Sequence, residues 1–250
     1  MTVIIAHRGA SAHAPENTME AFRIAVEHGA DAIELDVHLT ADGQLAVIHD
    51  DSLDRTTDRS GAVRGLTLDE IRSADAGARF TRSDDGGFPF RGRGLQVPIL
   101  PEVLAWLPDG VGLVVEIKAR EAADAVVEVV GDHPARRDGR LTAISFDEAA
   151  IERVHELDRE LRTGYLLVPT QPIEPALVWA TEHGHAAVVP FEGDLRIDPL
   201  PVLAVGHAYG REIGCYVVNE PERMKHLAAC GIWGFVTDVP DAARSALRTT

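Results

Sequence analysis

AIELDVHLTADGQLAVIHD, residues 32–50, decides how this chain folds. Its first half sets Glu34 and Asp36 into an apolar, β-branched run, two positions apart, so on a strand both carboxylates face the same way. The connection HLTADGQ carries a turn signal at Asp42-Gly43 and is too short to cross over to a parallel neighbour, so the segment reads as a hairpin. With Leu39 opposite Gln44, the returning arm sets His49 opposite Glu34.

Working outward, eight similar runs accompany Ala32–Val37: Val3–Ala6, Leu45–Ile48, Leu113–Ile117, Leu141–Ser145, Thr163–Val168, Ala186–Val189, Ile213–Val218 and Gly234–Val236. Such short apolar runs without strict alternation suit strands buried on both faces. Helical patterns separate many of them, at Thr18–His28, Glu121–Val130, Asp147–Glu156, Glu174–His183 and Glu220–Ala229, with Asn17 or Thr18 as the first N-cap and Gly29 as its stop. Alternation over 250 residues predicts an α/β fold, a TIM (β/α)8 barrel, with a doubly wound sheet as the second choice. Leu45–Ile48 is then the extra hairpin arm, the ninth run. The long stretch from about Asp50 to Pro98, with one weak helical signal at Thr67–Ser73, reads as an insertion over the barrel mouth within a single domain spanning residues 1–250.

Composition narrows the partners. Forty acidic residues against 24 basic ones give a net charge of −16, which works against nucleic-acid and anionic-membrane binding. No apolar run approaches the roughly 20 residues of a spanning helix, and MTVIIAHRGA lacks the basic start of a secretion signal. Two cysteines, Cys215 and Cys230, make neither a disulfide framework nor a metal set. A soluble, cytoplasmic protein without stable membrane association is expected.

In a barrel the chemistry sits at the C-terminal ends of the strands. Reading only those ends collects His7, Arg8, Glu34, Asp36, His49, Glu116 and Lys118. Glu34, Asp36 and Glu116 form a three-carboxylate set that repels itself unless neutralised. A hard divalent cation with oxygen ligands, Mg²⁺ or Ca²⁺, is the natural neutraliser, the alternative being ion pairs to Arg8 and Lys118. His7 and His49, from different strand ends, flank that set as a general acid/base pair. Arg8 and Lys118 are local cations for an anionic substrate. Arg55 borders the site or organises its loop. Glu16 caps a helix or stands behind the site, and Phe146, Tyr216 and Trp233 offer a pocket wall. The remaining histidines, His28 among them, read as solvated. No Walker loop, strand-linked GxGxxG or GxSxG is present.

In this order, AHRG (6–9), PENT (15–18), ELDVHLTADGQLAVIHDDSLDRTT (34–57), VPILPEVL (97–104), EIK (116–118), ISFD (144–147) and GFVTDVP (234–240) resemble the glycerophosphodiester phosphodiesterase family. The resemblance implies a TIM barrel with an insertion after the second strand, and hydrolysis of a glycerophosphodiester to glycerol 3-phosphate and an alcohol. It implies His7 and His49 as acid and base, Glu34, Asp36 and Glu116 as ligands of Mg²⁺ or Ca²⁺, and Arg8 and Lys118 near the phosphate. Where members often carry Trp-Thr-Val-Asn, this chain has Tyr216-Val217-Val218-Asn219. Trp233 stands where an acidic residue is frequent. The competing readings are a lysophospholipase D or phospholipase-like lyase acting on a lipid with the same residues, and a silent barrel that binds a phosphorylated ligand. A carboxylate-pair glycosidase fits less well, because Glu34 and Asp36 share one face and do not oppose each other.

Overall fold

The computed structural model describes residues 2–81 and 86–248; positions 82–85 of the expected insertion lie outside the described residues. The strands are β1 (Val3–Ala6), β2 (Ala32–Leu39), β3 (Leu45–Val47), β4 (Gly112–Ile117), β5 (Leu141–Ser145), β6 (Arg162–Leu166), β7 (Ala187–Val189), β8 (Glu212–Cys215) and β9 (Gly234–Thr237). Eight of them run parallel in the order β1-β9-β8-β7-β6-β5-β4-β2, and β1 also pairs with β2, which closes the ring. β3 pairs antiparallel with β2 as the extra arm. The fold is therefore the expected TIM barrel.

Alternation along the strands builds two cores. Ile5, Ala32, Val114, Ile144, Leu166, Ala187, Val189 and Val236 cluster together, one or two from nearly every barrel strand. They are the inward set, since residues two apart share a face. Ile33, Leu35 and Val37 point the other way and pack with Phe22, Val103 and Val126 of the surrounding helices. Ile4, Val188, Ile213 and Phe235 do the same on the far side of the ring. Glu34 and Asp36 continue the inward row above Ala32.

Helix Met19–Glu27 is capped by Thr18, whose side chain accepts from Ala21 N, so Thr18 and not Asn17 is the N-cap. The helix ends at His28 and Gly29, the latter at φ 80°. Four helices absent from the periodicity are Leu100–Trp106, Pro134–Arg137, Leu200–Ala208 and Pro240–Arg248. Among the described residues no helix is long and apolar enough to cross a membrane.

The hairpin differs from expectation by one residue. Leu39 pairs with Leu45, not Gln44, so His49 does not stand opposite Glu34. The turn is odd-membered: Thr40 N donates to Gln44 O at 2.9 Å, and Ala41-Asp42-Gly43 span the gap with Gly43 at φ 78°. A three-residue loop closing on a left-handed glycine gives this register, whereas a two-residue turn would not.

The chain after β3 builds a small core of its own on the hairpin, in which Leu53, Val63, Ile71, Ala74, Ala76 and Val97 meet Ala46 and Ile48. Its helix, Leu68–Arg72, carries a reciprocal cap between Thr67 and Glu70.

Candidate active site

β2 and β4 bring the carboxylates together. Their register sets Asp36 directly beside Glu116 and Glu34 beside Val114, all on the inner face. One oxygen of each of Glu34, Asp36 and Glu116 lies within 4.8 Å of the others, and all three residues are buried. Like charges held side by side in a strand pair are destabilising, and burial raises the cost. Burial and the neighbouring Asp36 and Glu116 push the Glu34 carboxyl well above the ordinary carboxylate range. Burial and Asp36 push Glu116 up to about 7. Asp36 is held below the ordinary range despite its burial, by Lys118, Arg8 and His49. An all-oxygen, self-repelling, desolvated donor set is the chemistry that a hard divalent cation fits.

The local cations partly relieve it. Arg8 N donates to Glu34 Oε2 at 2.8 Å, and its Nε lies 3.4 Å from Asp36 Oδ2. Lys118 Nζ donates to Glu116 Oε1 and lies 2.8 Å from Asp36 Oδ1, the latter a charge contact more than a directed hydrogen bond. Both cations thus pair with the acids and stand at their edge.

Each histidine is anchored in the same way. His7, one residue past β1, donates from Nδ1 to Asp238 Oδ1 at 2.7 Å. Asp238 lies one residue past β9, and the register of Ala6 beside Thr237 makes the two neighbours. Ser11 Oγ and Asn219 Nδ2 donate to the same carboxylate at 2.9 and 2.7 Å. His49 donates from Nδ1 to Asp50 Oδ1 at 2.7 Å, and its carbonyl accepts from His38 Nε2 at 3.0 Å. A carboxylate acceptor at Nδ1 favours the tautomer with its proton there, which leaves Nε2 as the acceptor nitrogen of each neutral ring. Burial lowers the His49 pKa, opposed by Asp36 and by the bond to Asp50.

A polar chain runs behind these groups. Arg55 grips Asp50 through Nε at 2.7 Å and Glu16 through Nη1 and Nη2 at 2.8 and 2.7 Å. Glu16 then accepts from Arg8 Nη1 at 2.8 Å. Glu16 and Arg55 therefore tie the His49 carboxylate to the arginine beside Asp36. They also line a cavity of about 300 Å³ with Ser11, Thr56 and Phe80.

The aromatic wall is partly as expected. Phe146, after β5, and Tyr216, after β8, meet edge to face at 5.7 Å between centroids. Trp233 does not join them. It precedes β9, so in a parallel barrel it lies at the N-terminal end of the strands, beside a cavity with Val3, Gly112 and Arg140. Three polar residues were not assigned to the site from sequence. Asn17, at φ 57°, donates from Nδ2 to Asp36 Oδ2 at 2.7 Å and accepts from Asp36 N at 3.3 Å. Asp238 and Asn219 complete the support of His7. Asp238 could have been found by the rule that found His7, because both directly follow neighbouring strands.

A family model for the glycerophosphoryl diester phosphodiesterase family matches residues 7–242. A glycerophosphodiester phosphodiesterase of Caldanaerobacter subterraneus subsp. tengcongensis is 34% identical over 256 residues, covering 99% of this chain and 98% of that protein. The crystal structure of glycerophosphodiester phosphodiesterase from Agrobacterium tumefaciens is 30% identical with a TM-score of 0.83, covering 98% of this chain and 100% of that one. The structure of an Oleispira antarctica phosphodiesterase in complex with the product sn-glycerol-3-phosphate is 27% identical with a TM-score of 0.85, covering 99% and 97%. With the motifs matched in order, the fold shared and the acidic set in place, the chain belongs to the glycerophosphoryl diester phosphodiesterase family of enzymes.

Proposed function

We propose that the protein hydrolyses a glycerophosphodiester to glycerol 3-phosphate and an alcohol, with Glu34, Asp36 and Glu116 holding Mg²⁺ or Ca²⁺ and with His7 and His49 as the acid/base pair. The observation that carries the reading is the buried carboxylate triad flanked by two histidines, each Nδ1 anchored on an aspartate. The relative bound to sn-glycerol-3-phosphate supports the choice of substrate class.

The chemistry such a cation supplies when bound is stabilisation of the charge that develops on the phosphoryl oxygens. Arg8 and Lys118, already at the edge of the acids, orient the substrate phosphate and add positive charge beside it. One histidine takes a proton from the nucleophile at Nε2, and the other gives a proton from Nε2 to the leaving oxygen. The nucleophile is a water or the substrate's own glycerol hydroxyl. Asp238 and Asp50 hold the rings in the required tautomer and stabilise them when doubly protonated. The segment from about residue 50 to 98, which carries Arg55, forms the rim of the mouth on this reading.

A second reading keeps this chemistry and changes the alcohol to a lipid-like one, as in a lysophospholipase D. Exposed Phe146, Val168, Phe191 and Ile197, which follow β5, β6 and β7 at the same end of the barrel, favour it. The deciding measurement is release of glycerol 3-phosphate from glycerophosphocholine by EDTA-stripped protein, with Mg²⁺ or Ca²⁺ restored and lysophosphatidylcholine run in parallel. Metal-restored release from glycerophosphocholine is expected. Turnover of the lipid alone would transfer the assignment to the second reading. No turnover of either substrate with either metal would leave a barrel that only binds a phosphorylated ligand.

A further inference from the structure

We propose that His13, His28 and Asp241 bind one transition-metal cation of the Zn²⁺ class, at a site separate from the carboxylate triad. The three side chains come from distant parts of the chain. His13 lies in the loop after β1, His28 is the C-cap of the helix Met19–Glu27, and Asp241 is in the first turn of the helix Pro240–Arg248. His13 Nε2 is 3.1 Å and His28 Nδ1 is 3.9 Å from the same Asp241 oxygen. One ligand atom from each lies within 4.8 Å of the others, and the two rings meet edge to face at 4.9 Å. Bonds of about 2.0–2.1 Å in a tetrahedral site space donors about 3.3 Å apart. Small side-chain adjustments therefore bring the three onto one ion, with a fourth position left for water.

A second observation points the same way. His28 Nδ1 is buried and, among the described residues, has no hydrogen-bond partner. Buried polar nitrogens are nearly always satisfied, and a metal bond at this atom does so without altering the fold. The donor chemistry separates the two sites. Two imidazoles and one carboxylate suit Zn²⁺, whereas the all-oxygen triad suits Mg²⁺ or Ca²⁺. The frame is already firm, because Arg244, one turn along the same helix, donates to Gly29 O at 2.9 Å and pairs with Asp31. An ion here is a clasp between the first barrel helix and the last.

The test uses the untagged full chain, stripped with EDTA and then saturated with Mg²⁺ so that the triad is filled. Zn²⁺ is titrated against a chromogenic chelator. One tight equivalent is expected. Since losing even a partner behind a ligand costs about 10–100-fold in affinity, His28→Gln and His13→Gln should each weaken this equivalent by more than about 100-fold. Glu116→Gln should leave it unchanged. Zn²⁺ should raise the melting temperature of the parent chain and not of either histidine variant. Should His28→Gln fail to fold, His13→Gln, in a loop, carries the same readout. A tight equivalent that survives both histidine changes, one that vanishes in Glu116→Gln, or no tight equivalent at all, overturns the proposal.

Discussion

At the residue scale the site depends on side chains whose partners are already chosen. On the proposed mechanism, replacing His7 or His49 by Ala should cost on the order of 10²–10⁴-fold in turnover, with metal affinity nearly unchanged. Steady-state release of glycerol 3-phosphate beside metal titration checks both halves, and near-normal turnover in either variant removes that histidine from the mechanism. Asn17 offers a subtler test. Asn17→Ala leaves buried Asp36 without two hydrogen bonds and puts a poorer residue at φ 57°. A loss of about 10–100-fold in metal affinity is expected, and Asn17→Gly, which relieves only the backbone, should not restore it. Asp238 makes a pH prediction. Burial would raise its carboxyl, but the hydrogen bond and charge of His7, with Asn219 and Ser11, hold it at about 2. A folded value below the unfolded one, near 3.9, stabilises the protein above that pH, and the benefit disappears as pH falls through about 2. The window is worth roughly 2 kcal/mol. Acid melts of Asp238→Asn should accordingly be flatter between about pH 4 and pH 2 than those of the parent chain.

At the scale of elements, legibility in the sequence followed from what each signal measures. The strand runs and the hairpin could be read because burial on both faces writes a continuous apolar stretch, and a short polar link excludes a crossover. The helices Leu100–Trp106, Pro134–Arg137, Leu200–Ala208 and Pro240–Arg248 were not read. Each carries proline at or next to its first residue, as does Pro221–Ala229, which was read, so an initial proline obscures a helix without always hiding it. Proline reads as loop punctuation, yet it is tolerated and even favoured in the first helical turn. The carboxylate triad and both histidines could be placed together from sequence because strand ends could be located, while Asn17 was hidden by its reading as a capping residue. The hairpin register slipped because the left-handed Gly43 adds a residue to the turn. Gly9 shows how tightly the loop that carries His7 and Arg8 is built. It sits at φ 82°, and a methyl group there would come within 2.7 Å of the Ala21 backbone. Gly9→Ala should lower the melting temperature by far more than Gly43→Ala, where a methyl group meets open space. Paired thermal melts decide it, and equal losses would mean that backbone conformation alone sets the cost.

For the molecule as a whole, a cation held by the buried triad, as proposed, would couple stability to metal. Without a cation, three neighbouring carboxylates share a desolvated interior. Binding to the folded state alone stabilises it by mass action, and at about 100 times Kd this should raise the melting temperature by about 5–10 °C over EDTA. Glu116→Gln removes one of the mutually repelling groups, so in EDTA it should melt no lower than the parent chain while losing most of the metal-dependent rise. Differential scanning calorimetry with and without Mg²⁺ reads both effects. A parent chain indifferent to metal would count against the triad as its site.

The seam that closes the ring, with β1 held between β9 and β2, also sets a timetable. His7 is among the earliest of the site's residues to leave the ribosome, but its carboxylate partner follows 231 residues later. At about 5–20 residues per second, that delay is on the order of 10–50 s. Until β9 is made β1 lacks that neighbour, and the acids of β2 and β4 are synthesised before His7 gains Asp238. A nascent chain therefore completes the His7–Asp238 pair only once β9 has been made, and the β9-facing edge of β1 stays unpaired until then.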